Sequence, residues 1–202
     1  VDVDVFAPTA ERRARFRARH RVPEDRLLVL GLGLVLRRKG VEDFVGAARQ
    51  IDAEFFWAGK SFPFPVVFSP SMRWAIRTAP RNVHFVGILD HPDGVAEACA
   101  AADVFLFPSF EENQGIVILE AAAAGLPLVL RRIGCYEEWI RPDDNALAFT
   151  DRPGLAESLR AVASDAALRT RLANAARKMA DEHRLERVGA RLRAIYESVA
   201  RR

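Results

Sequence analysis

Two carboxylates, Glu112 and Glu120, flank Gly115 in the run Pro108-Ser109-Phe110-Glu111-Glu112-Asn113-Gln114-Gly115-Ile116-Val117-Ile118-Leu119-Glu120. Before this run lies Asp103-Val104-Phe105-Leu106-Phe107, an apolar stretch with the composition of a buried parallel strand. After Gly115, residues Ile116 to Ala124 are apolar except for Glu120 and read as a helix. A strand, a polar turn and a helix start together offer free backbone N–H groups and a positive dipole end to an anionic or hydroxyl-rich ligand. In an open α/β sheet, ligands sit at the carboxyl ends of the strands. Glu112 on the turn and Glu120, about one and a half turns into the helix, can therefore face one crevice. A carboxylate accepts hydrogen bonds on both oxygens, which suits the two hydroxyls of a diol.

A second cluster lies upstream. Leu27 to Gly33 is a continuous apolar run typical of a central strand, and it ends in Gly31-x-Gly33. Arg37-Arg38-Lys39-Gly40 follows and leads into a helix over Val41 to Gln50. A glycine-containing turn with clustered cations before a helix is a reasonable pyrophosphate cradle. It is equally the pattern of a basic surface turn, and no third glycine completes a dinucleotide fingerprint. A third segment, Gly87-Ile88-Leu89-Asp90-His91, leaves the strand over Asn82 to Gly87. His84 alternates with Val83 and Phe85 and reads as a strand residue, whereas His91 lies on a loop from which it could approach a ligand.

These clusters need a scaffold, and the remaining pattern supplies one. Further strands are expected over Ala53 to Ala58, Leu128 to Leu130 and Ala146 to Phe149. Helices are expected over Ala10 to His20, Ser71 to Thr78, Pro92 to Ala102, Gly154 to Ser164, Ala166 to His183 and Leu185 to Arg202. A proline-containing loop (Pro63, Pro65, Pro70) precedes the helix at Ser71. The strand–helix alternation predicts an α/β fold, a doubly wound parallel sheet flanked by helices, with the last three helices covering the sheet. Val1 to Pro8 reads as an extended arm.

The 202 residues, half of them hydrophobic, suffice for one sizeable domain or one half of a two-domain enzyme. Neither a transmembrane-length apolar run nor a signal peptide is evident, and Cys99 and Cys135 have no partner pattern, so a cytoplasmic protein with packed thiols is expected. No Asp-x-Asp and no His/Cys cluster suggests a metal site. Net charge is only +3, but Arg12, Arg13, Arg15, Arg17, Arg19 and Arg21 crowd one segment, and Arg191, Arg193, Arg201 and Arg202 close the chain. Such clusters suit an anionic membrane surface or ligand, or are simply solvated helix faces. Nucleic acid is the weakest partner, because the aromatic residues fall at strand positions rather than between the basic ones.

The spacing Glu112-x7-Glu120 with Gly115 between, preceded by Ala-Ala-Asp-Val-Phe-Leu-Phe-Pro-Ser and followed by Glu-Ala-Ala-Ala-Ala-Gly-Leu-Pro, resembles the donor-site signature of retaining GT-B glycosyltransferases of the group 1 (family 4) type. The usual Glu-Gly-Phe-Gly is here Glu-Asn-Gln-Gly. With Arg38-Lys39-Gly40-Val41 and Phe55-Phe56-Trp57-Ala58-Gly59-Lys60, that variant is most similar to the diacylglycerol glucosyltransferase branch. The resemblance implies a Rossmann-like carboxy-terminal half of a GT-B fold. Residues 1–25 would be interdomain linker and basic helix, 26–184 the nucleotide-sugar-binding domain, and 185–202 a helix packing back toward an absent amino-terminal acceptor domain.

By the same resemblance Lys39 holds donor phosphate. Leu34 stands where the family has an arginine, and either Arg37 or Arg38 substitutes for it or Lys39 carries more of the load. Gly87, Ile88 and Leu89 form the loop whose backbone reads the nucleobase, and Ile133 to Trp139 lies near the donor sugar. Asn113, Gln114, Gly115, Ile116 and Val117 line the donor site, and Glu120 takes the ribose hydroxyls. Glu112, the candidate catalytic residue, contacts donor-sugar hydroxyls, with a nucleophile role left open. The implied substrate is a nucleotide sugar, UDP-glucose, with no metal and no cofactor. The implied acceptor is a lipid such as diacylglycerol at the inner face of the membrane, and the present half alone is expected to be inactive. GDP-mannose transfer to a polysaccharide and a non-catalytic nucleotide-binding module are the competing readings.

Overall fold

The computed structural model describes residues 1–61 and 69–200, so Pro63, Pro65, Arg201 and Arg202 lie outside the described residues. Six strands form one sheet: β1 (Leu28–Leu32), β2 (Glu54–Ala58), β3 (Val83–Gly87), β4 (Val104–Phe107), β5 (Leu128–Arg131) and β6 (Leu147–Phe149). Their order is β3-β2-β1-β4-β5-β6, and every pairing is parallel. The helices are α1 (Ala10–His20), α2 (Val41–Ala48), α3 (Pro70–Arg77), α4 (Asp93–Ala101), α5 (Ile116–Ala123), α6 (Arg152–Ser164), α7 (Ala166–Glu182) and α8 (Leu185–Ala200). The expected doubly wound parallel α/β fold is thus present.

All five residues of β1 are buried, which is why its sequence is apolar without alternation. Alternate side chains nonetheless feed two separate cores. Leu28, Leu30, Phe56, Phe105 and Leu128 pack on one face under α4, α5 and α7. Val29, Phe55, Trp57, Val104 and Val129 pack on the other under α2 and α6. The order reverses between β1 and β4, which sets a crevice at the carboxyl ends of these two strands.

Helix starts divide by role. Thr9, Ser69, Asp151 and Asp165 each accept a backbone N–H in the first turn of α1, α3, α6 and α7. By contrast α2 and α5 are capped by Gly40 (φ 75°) and Gly115 (φ 69°), with no side-chain cap. No side chain takes up their first-turn N–H groups, although those of Asp43 and Ile118 bond the carbonyls of Gly40 and Gly115.

Three expectations are corrected. The segment 1–8 is not an extended arm: residues 3–6 turn, and Phe6 is buried with Phe16 and Val22 in the core under α4. The arginines of α1 are not an open cationic patch. Arg17 is buried and donates to the carbonyls of Ala101, Pro23 and Arg26 and to Asp103, while Arg13 and Arg19 pair with Glu24, Asp103 and Glu97. Helix propensity and charge are visible in the sequence, but the acidic partners come from distant segments. Finally, α6 and α7 cover the sheet but α8 does not: it has no buried residue, and Leu185, Val188, Leu192, Ile195, Tyr196 and Val199 are exposed. Its apolar spacing is helical, yet no element of this sheet lies under it. Among the described residues no helix is long and apolar enough to cross a membrane.

Candidate functional site

The turn after β1 and the loop after β4 are knitted into one unit. Residues Arg37–Lys39 form a single 3-10 turn closed by Gly40. Phe110 donates its N–H to the Arg38 carbonyl at 2.7 Å, and the Ser109 hydroxyl reaches the same carbonyl at 3.2 Å. Gly40 can only be glycine: its φ is positive, and a Cβ there would lie 2.1 Å from the Pro108 carbonyl oxygen. Of the two glycines in Gly31-x-Gly33, the first serves the core, since its Cβ would strike Trp57 and Phe44 at 2.8 and 2.9 Å. Gly33 (φ 142°) leaves room for the Lys39 stem, which passes 3.7–3.9 Å from where a Cβ would stand.

This knitting brings Lys39 and Glu112 into contact, Nζ to Oε1, with both side chains only 13% and 10% exposed. The Ser109 hydroxyl also donates to Glu112 Oε1 at 2.6 Å. An ammonium and a carboxylate therefore neutralise each other across the two loops. An incoming anion can take Lys39 while a diol or hydroxyl takes Glu112. Cys135, exposed on the loop after β5, feels the same pair: partial burial and the Glu112 charge both push its thiol up. The expectation of a packed thiol holds for Cys99, which is buried, and not for Cys135.

Glu120 lies at the other end of the crevice. It is buried, 6% exposed, and pairs with His91 Nε2 at 2.8 Å. The nearby charge is felt inside the core, where burial first and Glu120 second push the Cys99 thiol far above its ordinary range. A cleft bounded by Phe6, His91, Gln114, Ile116 and Glu120 opens beside the pair. His91 comes from the loop after β3, so Gly87, Ile88 and Leu89 stand at the same rim. Gly87 has φ 75° and accepts the Gly59 N–H at 2.7 Å, Ile88 is exposed, and Leu89 packs against the core.

Asn113 and Gln114 are exposed on the loop, Gly115 is buried at the helix start, Ile116 is exposed and Val117 half-buried. Arg38 reaches the Glu111 carbonyl at 3.4 Å, and Arg37 is exposed at the rim. His84 is a strand residue, stacked on Phe56 and paired with Glu54 at 2.8 Å. Among the described residues no three His, Cys, Asp or Glu side chains converge as a metal site would require.

In the sequence His91 is a loop residue that could approach a ligand, and Ser109, Asp43 and Arg131 carry no assigned role. Arg131 carried a signal, since an arginine ends the otherwise apolar strand Leu128-Val-Leu-Arg131. It donates through Nε to the Pro108 carbonyl at 3.1 Å and pairs through Nη2 with Asp43 at the start of α2. Burial lowers the Arg131 pKa, and the Asp43 charge opposes that shift.

A family model described as glycosyl transferases group 1 matches residues 24–165 of this chain. The chain belongs to that family. This group 1 glycosyltransferase chain is 28% identical over 200 residues to a processive diacylglycerol alpha-glucosyltransferase of Acholeplasma laidlawii, covering 98% of this chain and 59% of that protein. It superposes on sucrose-phosphate synthase of Thermosynechococcus elongatus with a TM-score of 0.85 at 26% identity, covering 98% of this chain and 51% of that one. The HepE protein of Anabaena, solved in complex with UDP-glucose, has the same fold (TM-score 0.82, 19% identity, 100% and 56% coverage). The chain spans about half the length of the relatives it matches. Its sheet and flanking helices are those of the carboxy-terminal half of a GT-B glycosyltransferase.

Proposed function

We propose that this chain is the donor-binding half of a retaining glycosyltransferase that moves glucose from UDP-glucose to a lipid acceptor such as diacylglycerol. The observation that carries the reading is the Lys39–Glu112 contact across the sheet's switch point, with Glu120 on the helix that follows and two helix starts without side-chain caps beside it. Lys39, with Arg37 or Arg38 and the first N–H groups of α2 and α5, stabilises charge developing on the departing diphosphate. That service needs no metal from the protein. Glu120 accepts from the ribose hydroxyls once His91 yields, and Glu112 accepts from sugar hydroxyls once Lys39 turns to phosphate. The loop of Gly87 to Leu89, which also carries His91, the partner of Glu120, receives the base attached to that ribose. The name of the Acholeplasma relative supports glucose and a diacylglycerol acceptor, and a lipid acceptor places the reaction at a membrane surface. Acceptor binding belongs to an amino-terminal domain outside this chain, so the present half binds donor without turnover.

Calorimetric titration with UDP, UDP-glucose and GDP-mannose tests the reading. Saturable binding of the uridine ligands is expected, weakened roughly tenfold, or about 1.4 kcal/mol, by Glu120→Ala. Preference for GDP-mannose would replace the donor, and uridine binding indifferent to Glu120 would refute the crevice assignment.

A further inference from the structure

One buried guanidinium ties the two halves of the crevice together from beneath. Arg131 is 6% exposed, and its three nitrogens reach three separate segments. Nη2 meets Asp43 on α2, the helix that begins at the Lys39 turn; Nε meets the carbonyl of Pro108, where β4 ends; Nη1 meets Thr150 at 2.8 Å. The same guanidinium lies 4.0 Å from the centre of the Phe110 ring, within the loop that carries Glu112. The Pro108 carbonyl is wedged between this donor and Gly40. A buried ion pair is poor stabilisation compared with apolar packing of the same volume, so its directionality is what distinguishes it. Only a planar fork can hold a carboxylate, two carbonyls and a ring face at once, which an ammonium cannot.

We propose that Arg131, oriented by Asp43, is a positioning residue: it sets the height of the Glu112 loop against the Lys39 turn, and so governs how the sugar of a nucleotide sugar is held as distinct from its nucleotide. This rests on the reading of Glu112 as the sugar contact. Among the described residues no hydrogen bond or ion pair joins the Arg131 side chain to Glu120 or His91, at the nucleoside end of the crevice.

The measurement is the ratio of dissociation constants for UDP-glucose and UDP, taken by calorimetry for the native chain, Arg131→Lys, Asp43→Asn, Glu112→Ala and the double variant Arg131→Lys/Glu112→Ala. Arg131→Lys keeps the charge; Asp43→Asn keeps the shape and is a second variant, which also weakens the pair between Arg152 and Asp43 Oδ1. Expected are UDP affinities within about twofold of native for both, with the ratio raised roughly fivefold to tenfold, as in Glu112→Ala. The double variant should match Glu112→Ala alone, because the two residues act on one contact. An unchanged ratio in Arg131→Lys and Asp43→Asn, beside a raised one in Glu112→Ala, overturns the inference. So does proportional loss of both ligands, the signature of a merely structural role. An unchanged ratio in Glu112→Ala removes the sugar contact itself and overturns both readings, and no uridine binding by the native chain removes the donor assignment with them.

Discussion

Replacing Gly40 with alanine should destabilise this protein, whereas replacing Gly46, about one and two-thirds turns further along the same helix, should stabilise it. At Gly40 two costs combine. Alanine in the left-handed region costs roughly 1–2 kcal/mol, and φ there is 75°. The added Cβ would also stand 2.1 Å from the Pro108 carbonyl oxygen, which has to retreat by about 1 Å to reach a normal contact. That carbonyl accepts from Arg131, and losing a charged donor's bond to a buried acceptor costs about 1–3 kcal/mol. The sum is roughly 2–5 kcal/mol. At Gly46 nothing lies within 4 Å of a new Cβ and the backbone is helical, so alanine should stabilise by about 0.5–1 kcal/mol. Urea unfolding followed by tryptophan fluorescence reports both, since Trp57 is fully buried. With a slope of about 2–3 kcal/mol/M, Gly40→Ala should move the midpoint down by about 1–2 M. A Gly40→Ala midpoint indistinguishable from native, or a loss at Gly46 equal to that at Gly40, would refute the argument that close approach of the two loops demands glycine.

The basic helix offers a contrast of a similar kind. Arg17→Met should cost about 3–5 kcal/mol, because it strands three carbonyls and part of Asp103 in the interior, whereas Arg15→Met, on a half-exposed side chain that bonds the exposed Glu11 and only grazes Glu97 at 4.0 Å, which keeps its Arg19 partner, should stay within about 0.5 kcal/mol; urea midpoints decide between them. His20 gives a pH dependence. Burial between Phe16 and Phe56, then Arg19 and His84, hold its pKa below the ordinary range, and only Glu97 opposes them. The folded state thus binds fewer protons at this site than the unfolded chain does. Its contribution is full above about pH 6.5 and is lost as pH falls below that, so the urea midpoint should drop between pH 7.5 and 5.5. His20→Gln should flatten that drop, and an equal drop in the variant would remove His20 as its source.

Much of the molecule is legible from one chain read locally. The apolar runs at Leu28–Leu32 and Val104–Phe107 need no partner to announce buried strands, and helical spacing after Gly115 places Glu120 one face away from solvent. Alternation of strand and helix then leaves a doubly wound sheet as the economical arrangement, and with it the crevice where Lys39, Glu112 and Glu120 belong. Those inferences rest on periodicity and on turn chemistry within a few residues. What tertiary structure decided are the pairings across long separations. Whether Arg17 is surface charge or interior strut depends on carbonyls near residues 23, 26 and 101. Whether His91 matters depends on a carboxylate 29 positions away. Arg131 reads as the polar end of a strand until the fold brings Asp43 and Pro108 to it. Even the fate of α8 turns on the fold, since its apolar stripe is visible in the sequence and the sheet simply does not extend beneath it. A side chain's type and spacing set what it can do; which partner satisfies it is a property of distances that only folding creates.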